Sequence, residues 1–221
     1  WTSGTYGARF SMIRTFVNTF LNTDGTPFTD RAGYETMEFY DECQNRDARL
    51  AQTIRTPGYE RDGVPAAPNF NGYSYTGYQP IKYTLDDTKY DAGALNTNAI
   101  PLFRYAEVLL MYAEASTRAT NSVNTQAIQA IQEIQKRAGY ADSQLTTTTD
   151  PTAFTTAVSN ERGWEFFAEM KRWFELVRLE KVSEVRAETW DGSLFQRNNH
   201  YYFPIPYQQI ELTQWTNNAG Y

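Results

Sequence analysis

The sequence predicts a mainly α-helical protein, and three segments in its second half carry this prediction. Residues 104–115, RYAEVLLMYAEA, are apolar nearly all round. Residues 124–140, NTQAIQAIQEIQKRAGY, place apolar side chains on one face, and Gly139 is suited to end that helix. Asp150 and Pro151 supply an N-cap and a first-turn proline for a third helix. The short connection between the first two segments predicts an antiparallel helical hairpin, like one unit of a helical repeat.

The first half of the chain has a different composition. Gly, Pro, Asn and Asp recur every few residues from 57 to 101, where only QPIKYTL at 79–85 has strand character. Earlier, SMIRTFVNTFLN at 11–22 predicts a helix, a second short helix is expected at 33–42, and LAQTIR at 50–55 is interpreted as a strand. The sequence therefore divides into a loop-rich part at 1–100, a helical part at 101–189 and an irregular C-terminal tail at 190–221.

Composition excludes several classes of function. The 20 Lys and Arg against 26 Asp and Glu give a net charge of −6, which disfavours nucleic acid as a partner. With one cysteine, Cys43, and one histidine, His200, the chain offers neither an internal disulfide nor a Cys- or His-based zinc site, and both residues are interpreted as structural. No cofactor is predicted; a Ca²⁺ site of Asp and carbonyl oxygens stays open, but nothing indicates one.

Two sets of charged residues are spaced to share a helical face: Arg104, Glu107 and Glu114 in the first predicted helix, and Glu161, Glu165, Glu169 and Arg172 in the third. A pair of these glutamates would suit the acid and base of a glycoside hydrolase, which needs an open cleft. Buried carboxylates are otherwise tolerated when they are paired with cations and hydrogen-bonded. We favour the second interpretation, in which the charged residues are core ion pairs.

Several motifs occur in the order seen in one known family: RDARL at 46–50, QTIRTPGY at 52–59, GYQPIKY at 77–83, RYAEVLLMYAEA, ERGWEFFAEMKRWFELVR, YFPIP and the terminal NNAGY. Over essentially the whole chain the sequence resembles the C-terminal half of SusD/RagB-family proteins. It departs from their usual pattern at Ala48, Gly163 and Ala219, changes expected at most to loosen local rigidity. Family members are about twice this size, so residues 1–221 are expected to be a fragment that lacks the helical N-terminal half.

The resemblance implies a fold and a function. Proteins of this family have tetratricopeptide-like helix pairs packed with a loop-rich region containing few strands. They are non-catalytic outer-membrane lipoproteins at the cell surface, anchored through an N-terminal cysteine that this chain does not contain. They capture glycans, or peptides in some branches, and sit on a SusC-like TonB-dependent transporter. The implied partners are a glycan, that transporter and the missing N-terminal half. The family's motif glutamates and arginines are implied to be structural.

Ligand contacts vary within the family, so candidates follow from chemistry. Sugars stack their C–H faces on Tyr and Trp rings and hydrogen-bond to amides and carboxylates. The candidates lie in loops: Asn69, Asn71, Tyr73, Tyr75 and Tyr78, then Tyr34, Tyr59, Trp190 and Asp191. For each ring the alternative is packing on the scaffold. Four further aromatic residues are assigned to the core: Trp164, Phe166, Phe167 and Trp173. A protein-docking or peptide-binding scaffold stays open as an alternative to glycan binding.

Overall fold

A computed structural model describes residues 11–61, 63–65, 76–82, 99–179 and 202–218. Within these ranges the chain forms eight α-helices, three short 3-10 helices and one two-stranded antiparallel sheet, which confirms the mainly α prediction. The chain divides into two compact units, 1–172 and 173–221. None of the helices in these ranges combines the length and apolarity needed to span a bilayer.

The elements follow one another in this order: α1 (Arg14–Thr19), 3-10 turns at Phe28–Asp30 and Tyr34–Thr36, α2 (Phe39–Glu42), α3 (Ala48–Thr53), β1 (Glu60–Arg61), β2 (Val64–Pro65), α4 (Tyr105–Thr120), α5 (Thr125–Arg137), a 3-10 turn at Asp142–Gln144, α6 (Pro151–Glu165), α7 (Arg172–Arg178) and α8 (Tyr207–Thr213). The predicted short helix at 33–42 is thus a 3-10 turn followed by α2.

The predicted helical hairpin is confirmed, and α6 packs against it. The Asn124 side chain caps α5 by accepting a hydrogen bond from Ala127 N at 2.7 Å, and Asp150 caps α6 in the same way. Gly139 has a φ of +95°, which other residues rarely adopt, so the chain turns directly after α5. The three helices enclose a buried apolar cluster: Leu110, Ala113, Ala127, Ala130, Ile131, Ile134, Phe154, Val158 and Phe166.

A second apolar cluster joins the loop-rich segments to α6. Its buried members are Met12, Val17, Phe20, Leu50, Ile54, Tyr78 and Trp164. Gly163 lies at this contact, and a Cβ there would meet the Phe16 ring at 3.3 Å and the Arg172 guanidinium at 3.4 Å. Glycine therefore permits close packing at this position, where we had expected it to loosen the structure.

The strand expected at 50–55 is wrong, because residues 48–53 form α3. The Asp47 side chain caps this helix by accepting a hydrogen bond from Arg49 N at 2.9 Å. Leu50, Thr53 and Ile54 are buried at a spacing of three and four residues, which is a helical period. Within 50–55, the bridge that the structure shows is the one between Ile54 and Pro80. Residues 83–85 of the other predicted strand lie outside the described ranges.

Two expectations about the C-terminal residues also change. Trp173 was assigned to the core, but it is 37% exposed and its ring meets Phe203 at 6.3 Å within the second unit. The tail was expected to be irregular, yet α8 begins directly after Pro206, whose fixed φ suits a helix start. Trp164 and Phe166 are buried as predicted, and Phe167 is partly buried.

Candidate functional site: a buried ion-pair network and its surroundings

Arg49 is the centre of a charged network inside the first unit. Its guanidinium donates to Asp47 Oδ2 at 2.8 Å and to the Glu161 carboxylate. The Tyr140 hydroxyl also donates to Asp47 Oδ2 at 2.8 Å. The side chains of Asp47 and Glu161 have no exposed surface, and that of Arg49 is 6% exposed. The network therefore joins the start of α3 to the middle of α6 where water is excluded.

Arg104 forms the second centre. It donates to Glu165 Oε1 at 2.7 Å and to Glu169 at 2.7 and 3.0 Å. Lys82 also contacts Glu169, and Arg137 contacts the other oxygen of Glu165. Glu169 thus has two cationic partners, and Glu165 has a third in Arg49 at 3.8 Å, all supplied by separate segments of the chain. The arrangement ties the start of α4 and the end of α5 to the end of α6.

The other predicted ion-pair residues have different partners. Glu107 accepts from Lys171 Nζ at 2.7 Å, and Glu114 accepts from Arg118, one helical turn along α4. Arg172 donates to the Ser159 carbonyl oxygen at 3.2 Å. Sequence spacing placed Arg104 and Glu107 on one face, but Arg104 is the extended N-cap residue of α4. It precedes the first helical turn, so the helical spacing rule does not apply to it.

The surroundings of these carboxylates set their protonation. Burial alone would raise the pKa of Asp47, but hydrogen bonds from Arg49 outweigh it and hold that pKa below its usual value. Burial also acts on Glu169, and hydrogen bonds from Arg104 and Lys82 lower its pKa overall. Burial raises the pKa of Glu161, although Arg49 opposes this effect. Glu161 is the one of these three carboxyls held closer to protonation.

A cleft of about 280 Å³ borders the network, and its lining includes Arg104, Trp164, Glu165 and Glu169. A glycosidase acid must hold its proton beside the substrate. The carboxylates that face this cleft, Glu165 and Glu169, are bound by arginines and a lysine. Glu161, whose pKa is raised, has no exposed surface. The paired glutamates therefore hold α3, α4 and α5 against α6.

The predicted ligand contacts have separate outcomes. Tyr78 is only 6% exposed, and its hydroxyl donates to Glu42 at 2.8 Å, so it is a core residue and not a ligand contact. Tyr34 is half-buried with its ring edge against Phe28, and Tyr59 is half-buried beneath Arg55. The remaining candidates lie outside the described residues: Asn69, Asn71, Tyr73, Tyr75, Trp190 and Asp191.

Arg46 is a structural residue that sequence reasoning missed. Its guanidinium donates to the carbonyl oxygens of Glu42, Val17 and Phe20, and it lies over the Phe28 ring at 3.7 Å. Burial lowers the pKa of Arg46 to about 10. Arg46 thus caps the C-terminal end of α1, where the last backbone carbonyl groups have no hydrogen-bond partner within the helix. The signal in the sequence was an arginine four residues after Glu42, within the RDARL motif.

One face of α4 is apolar and exposed. We call it the α4 apolar surface and include the residues that precede the helix. Its members are Ile100, Leu102, Phe103, Tyr105, Val108, Met111 and Tyr112. The opposite face of α4 carries Leu110 and Ala113 in the core. A helix that is apolar on both faces is usually buried on both, so this surface resembles an interaction site.

We predict that Cys43 reacts slowly with thiol reagents in the folded protein. Burial raises the pKa of Cys43 to about 12, so at pH 8 the reactive thiolate is rarer by about three orders of magnitude than in the unfolded chain. Stopped-flow labelling with dithionitrobenzoate at pH 8, with and without 8 M urea, tests this. Equal rates in both conditions would show that the thiol is not buried.

The described part of the chain contains no cluster of His, Cys, Asp and Glu that could hold a metal ion.

Comparisons with known proteins agree with this architecture. The sequence model of the SusD family matches residues 1–221, and no curated protein matches the sequence. A SusD-like protein of Bacteroides fragilis has a similar structure, with 22% identity and a TM-score of 0.73 over 94% of this chain and 46% of that chain. A SusD superfamily protein of Bacteroides vulgatus has 21% identity and a TM-score of 0.65 over 96% and 44%.

A third solved structure is a SusD-like carbohydrate-binding protein of Bacteroides fragilis, with 24% identity and a TM-score of 0.63 over 78% of this chain and 36% of that chain. The chain therefore spans less than half the length of each of these three proteins. Their identities are low, so the structural likeness concerns the fold. The family match extends from the first residue to the last, and the chain belongs to the SusD family.

Proposed function

We propose that this chain is part of a non-catalytic cell-surface protein that binds a glycan at the outer membrane and delivers it to a SusC-like TonB-dependent transporter. The observation that carries the proposal is the family match over residues 1–221, and the pairing of the core glutamates supports its non-catalytic part. Membership of the SusD family and the likeness to a carbohydrate-binding protein of Bacteroides fragilis support it. The lipid anchor expected in this family belongs to the same proposal.

Recognition is assigned to loop rings and amides. Tyr73 and Tyr75 would stack on sugar faces, while Asn69 and Asn71 would hydrogen-bond to hydroxyl groups. Trp190 and Asp191 form a second candidate pair, in which the indole ring would stack on a sugar face and the carboxylate would hydrogen-bond to a hydroxyl group. Tyr34 and Tyr59 are half-buried and remain secondary candidates.

The test is affinity electrophoresis through gels that contain amylopectin, xylan, arabinogalactan or laminarin. We expect retention on at least one glycan, and weaker retention after Tyr73→Ala or Tyr75→Ala. Tyr40→Ala is the matched control, because that ring is 62% exposed and lies outside the candidate loop. Unchanged retention in both loop variants would remove these tyrosines from the site. Release of reducing sugar from the bound glycan, abolished by Glu165→Gln, would favour the glycosidase alternative instead.

The peptide-binding alternative is decided by the same protein preparation. A glycan array without hits, beside specific binding in a peptide screen, would replace the glycan by a peptide ligand. Such an outcome would leave the family assignment intact, since that rests on the match over residues 1–221.

We also propose that the helical N-terminal half typical of SusD-family proteins covers the α4 apolar surface. The solved relatives contain more than half of their length outside the region that matches this chain. The exposed side chains of Tyr105, Val108 and Met111 give a helical partner an apolar strip along α4. Expression together with the reading frame that precedes this sequence in its own genome tests the proposal. Dye binding to exposed apolar surface should fall and hydrogen exchange in α4 should slow; no change in either would contradict it.

A further inference from the structure

A second cleft in the first unit has a volume of about 580 Å³, and its lining residues precede the helical hairpin in the sequence. We call it the 22–45 cleft, since its lining comes from three short segments between those positions. The lining residues are polar throughout: Asn22, Thr23, Asp24, Thr26, Asp30, Arg31 and Asn45. Its volume falls in the range of about 300–1,000 Å³ typical of small-molecule sites.

One wall of the 22–45 cleft is a turn held together by side-chain hydrogen bonds. Asn22 Nδ2 donates to Thr26 Oγ1 at 2.9 Å and to the Pro27 carbonyl oxygen at 3.1 Å. Thr26 Oγ1 in turn donates to Asp24 Oδ1 at 2.6 Å. A carbonyl oxygen only accepts, so the contact with Pro27 fixes which end of the Asn22 amide is nitrogen. The other end, Asn22 Oδ1, is buried and has no hydrogen-bond donor.

The opposite wall supplies donors and another acceptor. Arg31 Nη2 donates to the carbonyl oxygens of Gln44 and Asn45, each at 2.8 Å, and the guanidinium stacks over the Phe28 ring. These contacts hold Arg31 at the edge of the cleft. The Asp30 carboxylate is exposed. Asn45 is exposed too and has a φ of +53°, the left-handed conformation that asparagine tolerates.

The mixture of groups indicates the class of ligand. The acceptors are the Asp24 and Asp30 carboxylates, and the donors are the Asn45 amide and the Arg31 guanidinium. Hydroxyl groups suit such a lining because each one both donates and accepts. A bare divalent cation suits it less, since the positive charge of Arg31 lines the same space.

We propose that the 22–45 cleft binds hydroxyl-rich units of a neutral saccharide, as a subsite made of residues other than the proposed contacts Tyr73 and Tyr75. This inference rests on the proposed glycan-binding function and gives it a defined location. The exposed Asp30 carboxylate accepts hydrogen bonds from sugar hydroxyls, and the Asn45 amide donates to a hydroxyl oxygen. Arg31 fixes the width of the cleft through its bonds to the 44–45 turn.

The test uses isothermal titration with an oligosaccharide of whichever gel glycan retains the parent protein. Asp30→Ala and Asn45→Gly remove cleft side chains, and glycine keeps the positive φ at position 45. Glu133→Ala on α5 and Asn121→Gly at the C-cap of α4, which has a φ of +49°, are the matched controls. We expect about tenfold weaker binding in each cleft variant, as for a lost hydrogen bond to sugar, and parental affinity in the controls.

Parental affinity in both cleft variants would overturn the subsite while leaving glycan binding by the protein in place. Failure of the parent to bind any of the four glycans would count against the proposed function and the subsite together. Binding that EDTA abolishes and calcium chloride restores would also overturn the inference, because the cleft lining would then hold a cation instead of sugar hydroxyls.

Discussion

Arg49→Met is expected to lower the free energy of unfolding by about 3–5 kcal/mol, the range for breaking a buried ion pair. Methionine retains much of the side-chain volume but removes the charge. Asp47 and Glu161 then stay in a site with no exposed side-chain surface and lose their shared cation. An uncompensated buried carboxylate must be protonated or hydrated, and either change opposes folding.

Urea unfolding at pH 7, followed by tryptophan fluorescence, measures this effect. Arg118→Met is the matched control, since Arg118 pairs with Glu114 while its own side chain is 51% exposed. Surface pairs contribute at most about 1 kcal/mol, so the control should unfold close to the parent midpoint. If both variants lose the same stability, Arg49 is not the buried centre described above.

Phe154→Ala is expected to cost a comparable amount, about 3–5 kcal/mol, for a different physical reason. Phe154 has no exposed surface and lies in the apolar cluster shared by α4, α5 and α6. Alanine loses the buried ring area and leaves a cavity that three packed helices close only in part. Thermal unfolding followed by circular dichroism at 222 nm reports the loss as a lower midpoint.

Met111→Ala serves as the control for that variant. It shortens another apolar side chain, but one that is 46% exposed on the α4 apolar surface. In the isolated chain its effect should stay within about 0.5 kcal/mol, as for most surface substitutions. A large loss for Met111→Ala, with little for Phe154→Ala, would mean that the two faces of α4 are assigned the wrong way round.

The sequence predicted the elements that depend on local rules. The α4 and α5 hairpin, the Asp150 cap and the glycine turn after α5 follow from periodicity and capping, which a short window of residues determines. It also predicted that the core glutamates would be paired. The α3 segment was assigned wrongly because LAQTIR has β-branched residues at two positions, while the capping signal came from Asp47, outside the window considered.

The partners within the network could not be predicted in the same way. Arg104 pairs with Glu165 and Glu169 because it precedes the first turn of α4, and no spacing rule relates residues on separate segments. Tyr78 looked like a loop aromatic because its neighbours are Gly and Gln. In the structure it is buried, and its hydroxyl donates a hydrogen bond to the Glu42 carboxylate. Which ring is buried depends on how distant segments pack, and composition carries no such information.

The network also fixes when the molecule can finish folding during synthesis. Arg49 and Glu161 are 112 residues apart in the chain, so a ribosome working at roughly 5–20 residues per second makes the arginine on the order of ten seconds before its acid. During that interval α3 emerges with a cation whose main distant partner does not yet exist. A polypeptide whose translation stops before α6 cannot form this buried network. Quality-control proteases would then cleave it while its core residues are exposed.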